Sequence, residues 1–562
     1  MSEPRKTTPE QNVKKARTSR NAVIFTLSVI ACLVFANIVA TRVFGRLDLT
    51  EDRIYTLSDA SKQLVASLPD RVVAKAFLSK DTPPQVAQIS KYLRDLLDEY
   101  KAASKGKFEW EAIDPADAKT EEERRKKEEE AQRLGVQKLQ LQQLSQEKVS
   151  VGSIYLGVAF QYGDKIERLP RVTGLEGLEY EISSMLKRLT VKKKKIGFVS
   201  GQGELDQQRG IGFVWGGVEE NYEVTPVNLG GGTPPPIGED IDALVIMGPK
   251  QPFSDAAKRA IDQFLMKGKA AAFLVDGMTL ESPQGQLPPE MAAQMPRMAK
   301  KNDVGLETLL GAYGFKIQDD ILMDEQNIRA PALVNGQIYV INQPYFPIAT
   351  RLGHHDTTEK VRGAVFPLAS SVELQGKLKE IWDKHGNAEL VPIAQSTERG
   401  WRQTGFFMFD PAKQVEPANE RGVYTFGWAY KGPLASAFEK DQPTPAQSSS
   451  ESPSPAGKLS ESKSPVRLVV VGDSDFGSDE FMRSPDIRLM NGHLFMNIID
   501  WLAQDEALRP IRGKGVTNRP LTVESPTTPV LVKTANMFGL PLAFIGYGLF
   551  RRWRRKHQKE TP

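Results

Sequence analysis

The residues best placed by type to do chemistry stand in two short stretches, Gly201-Gln202-Gly203-Glu204 and Gly472-Asp473-Ser474-Asp475-Phe476-Gly477. Ser474 follows a strand pattern and precedes a helical one, the position of a serine nucleophile, and His493 is the nearest base. Glycine arrives one place too late for a Gly-x-Ser-x-Gly elbow, and a tight acidic turn accounts for the same residues. Asp473, Asp475 and Glu204 carry hard oxygen donors suited to a cation at a sheet edge, or equally to capping the amino ends of neighbouring helices. Gly201, Gln202, Gly203, Glu204, Asp473, Ser474 and Asp475 are therefore the candidate ligand-binding set, with no catalytic and no metal-ligating residue assigned.

Other chemistry is poorly supplied. The single cysteine, Cys32, lies in an apolar run, so the body has no disulfide, no thiolate metal site and no cysteine nucleophile. No Gly-x4-Gly-Lys-[Ser/Thr] stretch occurs and no His-Glu-x-x-His. His354-His355-Asp356 has metal-ligand side chains, but adjacent residues in an irregular segment need not converge, and a surface loop is the plainer expectation. No cofactor is implied. The net charge is only +4 and much of the basic excess sits in the tails, which points to anionic lipid and away from nucleic acid.

The elements that must position the candidate set are strands alternating with helices. Ile196 to Ser200, Glu223 to Leu229, Ile241 to Met247, Ala270 to Val275 and Val466 to Val471 read as strands, with helices at Gly212 to Asn221, Ser254 to Met266 and Asn491 to Leu502. Continuous apolar strands of this kind argue for a parallel sheet covered on both faces. Ligands collect beyond the carboxyl ends of such strands, and there lie Gly201 to Glu204, Gly248-Pro249, Asp276-Gly277 and Gly472 to Asp475.

Upstream, Arg71 to Ser79, a proline loop at Pro83-Pro84, a helix through Tyr100 and the strand Lys107 to Ile113 have a thioredoxin-like order, without a Cys-x-x-Cys. Glu121 to Arg133 is expected as a solvated helix with ion pairs at i,i+4 spacing. A hairpin about Tyr162-Gly163-Asp164 and an amphipathic helix from Leu175 to Leu189 complete a domain spanning 45–190. The α/β domain is expected over 191–505, with an insertion at about 325–465 that includes strands at Ile338 to Ile341, Ala364 to Leu368 and Tyr424 to Tyr430. Residues 440–465, rich in Ser and Pro and poor in apolar side chains, should be disordered.

Both ends read as membrane anchors. The run 21–44 is long enough to cross a core of roughly 30 Å as a helix, and the basic tail 1–20 holds the amino terminus inside. At the other end a juxtamembrane segment, 506–533, leads to the shorter apolar run 534–550. The basic tail 551–562 follows it at once in a stop-transfer arrangement. The expected location is the inner membrane, crossed twice, with the large body periplasmic.

Several of these stretches together resemble a known family. Asp48, Leu49, Thr50, Leu57 and Ser58 after the first span, a glutamate-bearing helix with Glu179 or Glu181, and the turn Gly201-x-Gly203-Glu204 are similar to the Gld-type (GldG-like) auxiliary subunits of ABC transporters, associated with gliding motility. So is the block at 472 to 476 followed by Asn491, Leu494, Phe495, Asn497 and Trp501-Leu502; Gln202 departs from the histidine of the family pattern. The resemblance implies a second domain like a class I glutamine amidotransferase (flavodoxin-like), an auxiliary rather than enzymatic role, and separate permease and ATPase chains as partners. The residues leave two other readings open: an envelope hydrolase using Ser474 and His493, and a tethered solute- or glycan-binding receptor.

Overall fold

The computed structural model describes residues 56–144, 149–175, 177–208, 210–232, 234–281, 295–334, 337–376, 388–405, 407–410, 413, 415–438, 459–505, 511 and 527–557, together with Ser28 and Cys32. The apolar run 21–44 (those two residues apart), the tail 1–20 and most of 506–533 lie outside the described residues. The chain divides into two units, Met1–Lys514 and Gly515–Pro562.

The larger unit opens with α1 (Asp59–Ala66), β1 (Val72–Leu78), α2 (Pro84–Ala103), β2 (Phe108–Ile113), α3 (Glu121–Arg133), β3 (Lys138–Leu144), β4 (Val149–Tyr162), β5 (Lys165–Leu169) and α4 (Leu178–Thr190). Ser58 caps α1, its hydroxyl accepting from Ser61 N at 3.2 Å, and Pro84 starts α2 where no amide donor is missed. β1 runs parallel to β2 and antiparallel to β4, and β4 carries β3 and β5. Leu93, Leu97, Tyr100, Ile182 and Leu186 from α2 and α4 close one core with Val72, Ala74 and Phe160. α3 buries only Ala131 and carries Lys126–Glu122 and Lys127–Glu123 pairs at 3.1 and 2.9 Å. It is the solvated helix its charge pattern describes.

The candidate site rests on the sheet that follows. β6 (Lys195–Ser200), α5 (Gly212–Asn221), β7 (Glu223–Asn228), β8 (Ala243–Met247), α6 (Asp255–Met266) and β9 (Ala270–Leu274) come first. Much later come β10 (Arg351–Leu352), β11 (Glu389–Gln395), β12 (Thr425–Gly432), β13 (Val466–Val471) and α7 (Pro485–Leu502). They form one eight-stranded sheet in the order β10-β11-β12-β13-β9-β8-β6-β7. Ala243, Val245 and Met247 face α5 and α7, while Leu244 and Ile246 face α6. Burial on both faces is why these strands read as unbroken apolar runs.

Three expectations are corrected. The sheet is mixed, not purely parallel: β13, β9, β8, β6 and β7 run parallel, but β12, β11 and β10 are antiparallel additions. Thr425–Gly432 accordingly belongs to the main sheet and not to an insertion, because the free edge of β13 requires backbone partners and β12 supplies them at Gly427 to Gly432. The stretch 440–465 lies outside the described residues as far as 458, but 459–465 is ordered. Ser436 N and Ser462 N make backbone bonds across it, and Gln263 Nε2 donates to Leu459 O at 3.0 Å.

Between β9 and β12 the chain builds small sheets, among them the antiparallel pair Asn327–Val334 and Gln337–Ala349. In the second unit a helix spans Thr527–His557, with Pro541 inside it. Among the described residues no helix is long and apolar enough to cross a membrane.

Candidate functional site

Ser474 lies in the turn that leaves β13, and the fold turns it inward. The residue is fully buried; its amide and hydroxyl donate to Asp276 Oδ1 and Oδ2 at 2.7 and 2.8 Å. Asp276 stands just beyond the carboxyl end of β9, and its Oδ2 also receives Lys250 Nζ at 2.8 Å. Lys250 follows β8 by way of Gly248, whose φ of +63° and approach to Ser474 exclude a side chain: a Cβ there would lie 2.9 Å from Ser474 Oγ. Three strand ends are thus tied by one carboxylate. The hydroxyl of Ser474 is committed to an acceptor, and no bond joins it to His493 among those described.

The neighbouring carboxylates complete the turn. Asp473 Oδ1 accepts from Asp475 N at 2.6 Å and Phe476 N at 3.2 Å, whereas its Oδ2, also buried, has no partner among the described residues. Burial, then the carboxylates of Asp475 and Asp276, hold Asp473 well above the usual carboxylate range. Asp475 is pushed up to about 7 by burial and Asp276, against the pull of Lys250 and Arg297. Lys250 is raised by Asp276, and Arg297, over the Phe409 ring at 5.3 Å, is lowered by burial. Asn491 on α7 donates to Phe476 O at 2.8 Å, so the helix after the turn also holds it.

Gly201 to Glu204, at the end of β6, forms a second and largely self-contained turn. Glu204 Oε2 accepts from Gln202 N at 2.7 Å, and Gln202 Nε2 donates to Leu229 O at 3.0 Å. Gly201 has φ +114°, and a Cβ there would sit 2.4 Å from Gly230 N, so only glycine fits. The link to the first cluster is through backbone: Lys250 N and Gln251 N donate to Gln202 O at 2.8 and 2.9 Å. The fold therefore places all seven expected residues at the carboxyl end of the sheet, but divides them into an Asp473-Ser474-Asp475 group and a Gly201 to Glu204 group bridged by Lys250.

Both groups cap backbone amides, and among the described residues no three His, Cys, Asp or Glu side chains are arranged to hold a metal. His355 is likewise a cap, its Nδ1 accepting from Thr357 N at 3.2 Å, with its ring against Trp501. Asp276, at the centre of the cluster, lies in the strand-end loop Asp276-Gly277 that its place after an apolar run indicates, whereas no motif marks Lys250, three residues past the apolar strand β8. Arg297 comes from a small sheet with no pattern to announce it. A cavity of about 110 Å³ adjoins Asp276, walled by Asn302, Leu306, Leu310 and Phe315.

The raised Asp475 carboxyl gives a pH prediction. The native state binds this proton up to about pH 7, while an unfolded aspartate releases it near 3.8. Its stabilising contribution is therefore full below pH 3.8 and lost as pH rises through 7. The expected loss is on the order of 2 kcal/mol once partial exposure is allowed for. Urea midpoints at pH 5 and pH 8 should converge in Asp475→Asn relative to the parent, and an unchanged difference refutes the assignment.

Residues 193–502 match a family described as an ABC-type uncharacterized transport system, an auxiliary component, and residues 51–161 match a domain of unknown function. An uncharacterized protein of Borreliella burgdorferi is 23% identical over 542 residues, covering 93% of this chain and 96% of that protein. The mmIFT52 N-terminal domain aligns with 55% of this chain and 96% of its own, at 11% identity and a TM-score of 0.31. A similarity at that level carries nothing further.

Proposed function

Since this chain belongs to the auxiliary family of ABC-type transport systems, we propose that it is a non-catalytic, membrane-anchored subunit of an ABC exporter or gliding-type (GldG-like) transporter. Family membership implies association with transporter components, and we assign these as separate permease and ATPase chains. The runs 21–44 and 534–550 are its proposed anchors, with both tails cytoplasmic and the thioredoxin-like and amidotransferase-like parts outside. Met537, Phe538, Ile545, Leu549 and Phe550 are exposed on the Thr527–His557 helix, a surface that lipid would cover.

The observation that carries the non-catalytic reading is the bond from Ser474 Oγ to Asp276 Oδ2 inside a fully buried turn. Reaction requires a nucleophile, a base and an oxyanion stabiliser within mutual reach of a substrate. Here the one hydroxyl of the turn is committed to the carboxylate that holds three strand ends together. The crevice at the carboxyl end of the sheet, with the small cavity beside Asp276, is suited to recognition.

Solubilised native membranes should yield the permease and ATPase with the full-length protein, and Ser474→Ala should leave that recovery and transport close to the parent level. Loss of transport with recovery intact would return the envelope hydrolase. Recovery of the parent protein without either transporter chain would refute the subunit assignment. Reporter fusions at the two termini test the topology separately, and an external signal from either refutes it.

A further inference from the structure

Helix α4 binds both the segment that opens α1 and the segment that follows α7. At its first turn the buried Glu179 accepts through Oε1 from Ser58 N at 2.9 Å and Ser61 Oγ at 2.7 Å, at the point where the chain enters α1. Ser61 Oγ and Ser183 Oγ are 2.9 Å apart, and the Tyr100 hydroxyl donates to Glu179 O at 3.0 Å while meeting Ser183 Oγ. All of these side chains are buried.

At the last turn of α4 the partner is the segment that follows α7. Lys187, also buried, pairs with Asp505 just past α7, and its ammonium lies 5.9 Å from the centroid of the Tyr222 ring. Tyr222 donates to Asp500 Oδ1 at 2.6 Å, and Asp505 N donates to Asp500 O at 2.7 Å. Beyond α4, Lys194 Nζ donates to the carbonyls of Ala503 and Gln504. Glu179 and Lys187 are separated by about 12 Å along the helix, at 1.5 Å per residue.

We propose that α4 is a conformational clasp: through Glu179 and Lys187 it holds the segment that opens α1 and the segment that follows α7, so that loosening one end loosens the other. Packing alone does not call for this set, because apolar side chains of similar volume close a core at least as stably as buried ionic ones. What the polar set adds is a single register for each end on one short rigid element.

Hydrogen exchange on the full-length protein in detergent tests this. Glu179→Ala should speed exchange of the amides of α1 and, by about tenfold, those at 500–505 as well; Lys187→Met should do the reverse, reaching α1 from the far end. Amides of β8 and β9 report that the core is intact. Glu179→Gln, which keeps an acceptor, should leave residues 500–505 near parent rates. If Glu179→Ala does not fold, Ser61→Ala with Ser183→Ala replaces it. Acceleration confined to the substituted end in both variants refutes the clasp, whatever the topology of the anchors.

Discussion

Asp276→Ala is expected to lower the stability of the protein by about 3 kcal/mol. The carboxylate accepts from Ser474 N and Ser474 Oγ, both buried, and from Lys250 Nζ. Its removal leaves the two serine donors without an acceptor, and each such donor costs about 1–3 kcal/mol. The Lys250 pair adds less, because the lysine side chain is 42% exposed. Asp276→Asn retains one acceptor oxygen and should lose roughly half as much. Because Asp276 is among the causes that raise Asp475, either replacement should also move the Asp475 titration below 7. Urea unfolding at pH 8 measures the first effect, and the pH dependence of the midpoint measures the second. A stable Asp276→Ala protein with an unmoved titration would mean that the three strand ends are not joined through this carboxylate.

Trp501→Ala is expected to cost about 3–5 kcal/mol, the range for emptying a large aromatic site in a core. Trp501 is 1% exposed at the end of α7, edge-on to the His355 ring at 4.9 Å and below the Arg467 guanidinium at 5.4 Å. It closes the core between α7 and the sheet, along with Phe495, Ile498 and Leu502. The loss should reach the candidate site, because the same helix holds Phe476 O through Asn491. Trp501→Phe should recover most of the loss. A urea midpoint for Trp501→Ala near the parent value would show that α7 is not a structural support of that turn.

How much of this was legible without coordinates varies along the chain. Gly212–Asn221, Val466–Val471 and Glu121–Arg133 have the bounds their patterns indicate, because each is declared locally by an apolar run or by i,i+4 charges. The Lys138–Leu144 strand was not foreseen; its alternation of Leu with Gln and Lys is short and breaks at Gln142-Gln143, although Gly135, at φ +75°, marks the end of the preceding helix. In the candidate site the glycines and the Asp473-Ser474-Asp475 turn were visible, since φ and capping requirements are written in adjacent residues. Asp276 was visible only as part of a strand-end loop; Lys250, and the pairing of the two, were not, because an ion pair between residues 26 apart leaves no local mark.

By itself the sequence determined the covered α/β sheet, the strand-end loops that make up the candidate site, and that the chain given carries one cysteine, Cys32, and no P-loop pattern. These follow from side-chain type, from unbroken apolar strand runs and from the helical period of 3.6 residues. Only the tertiary structure decided that the sheet is extended by antiparallel strands, since the edge to which β12 binds depends on which backbone groups of β13 remain unpaired. Only the tertiary structure, too, committed Ser474 to Asp276, and tied Ser58 and Asp505 to opposite ends of one helix. Each is a contact between residues far apart in the chain, fixed by the packing of whole elements and beyond the reach of any local pattern.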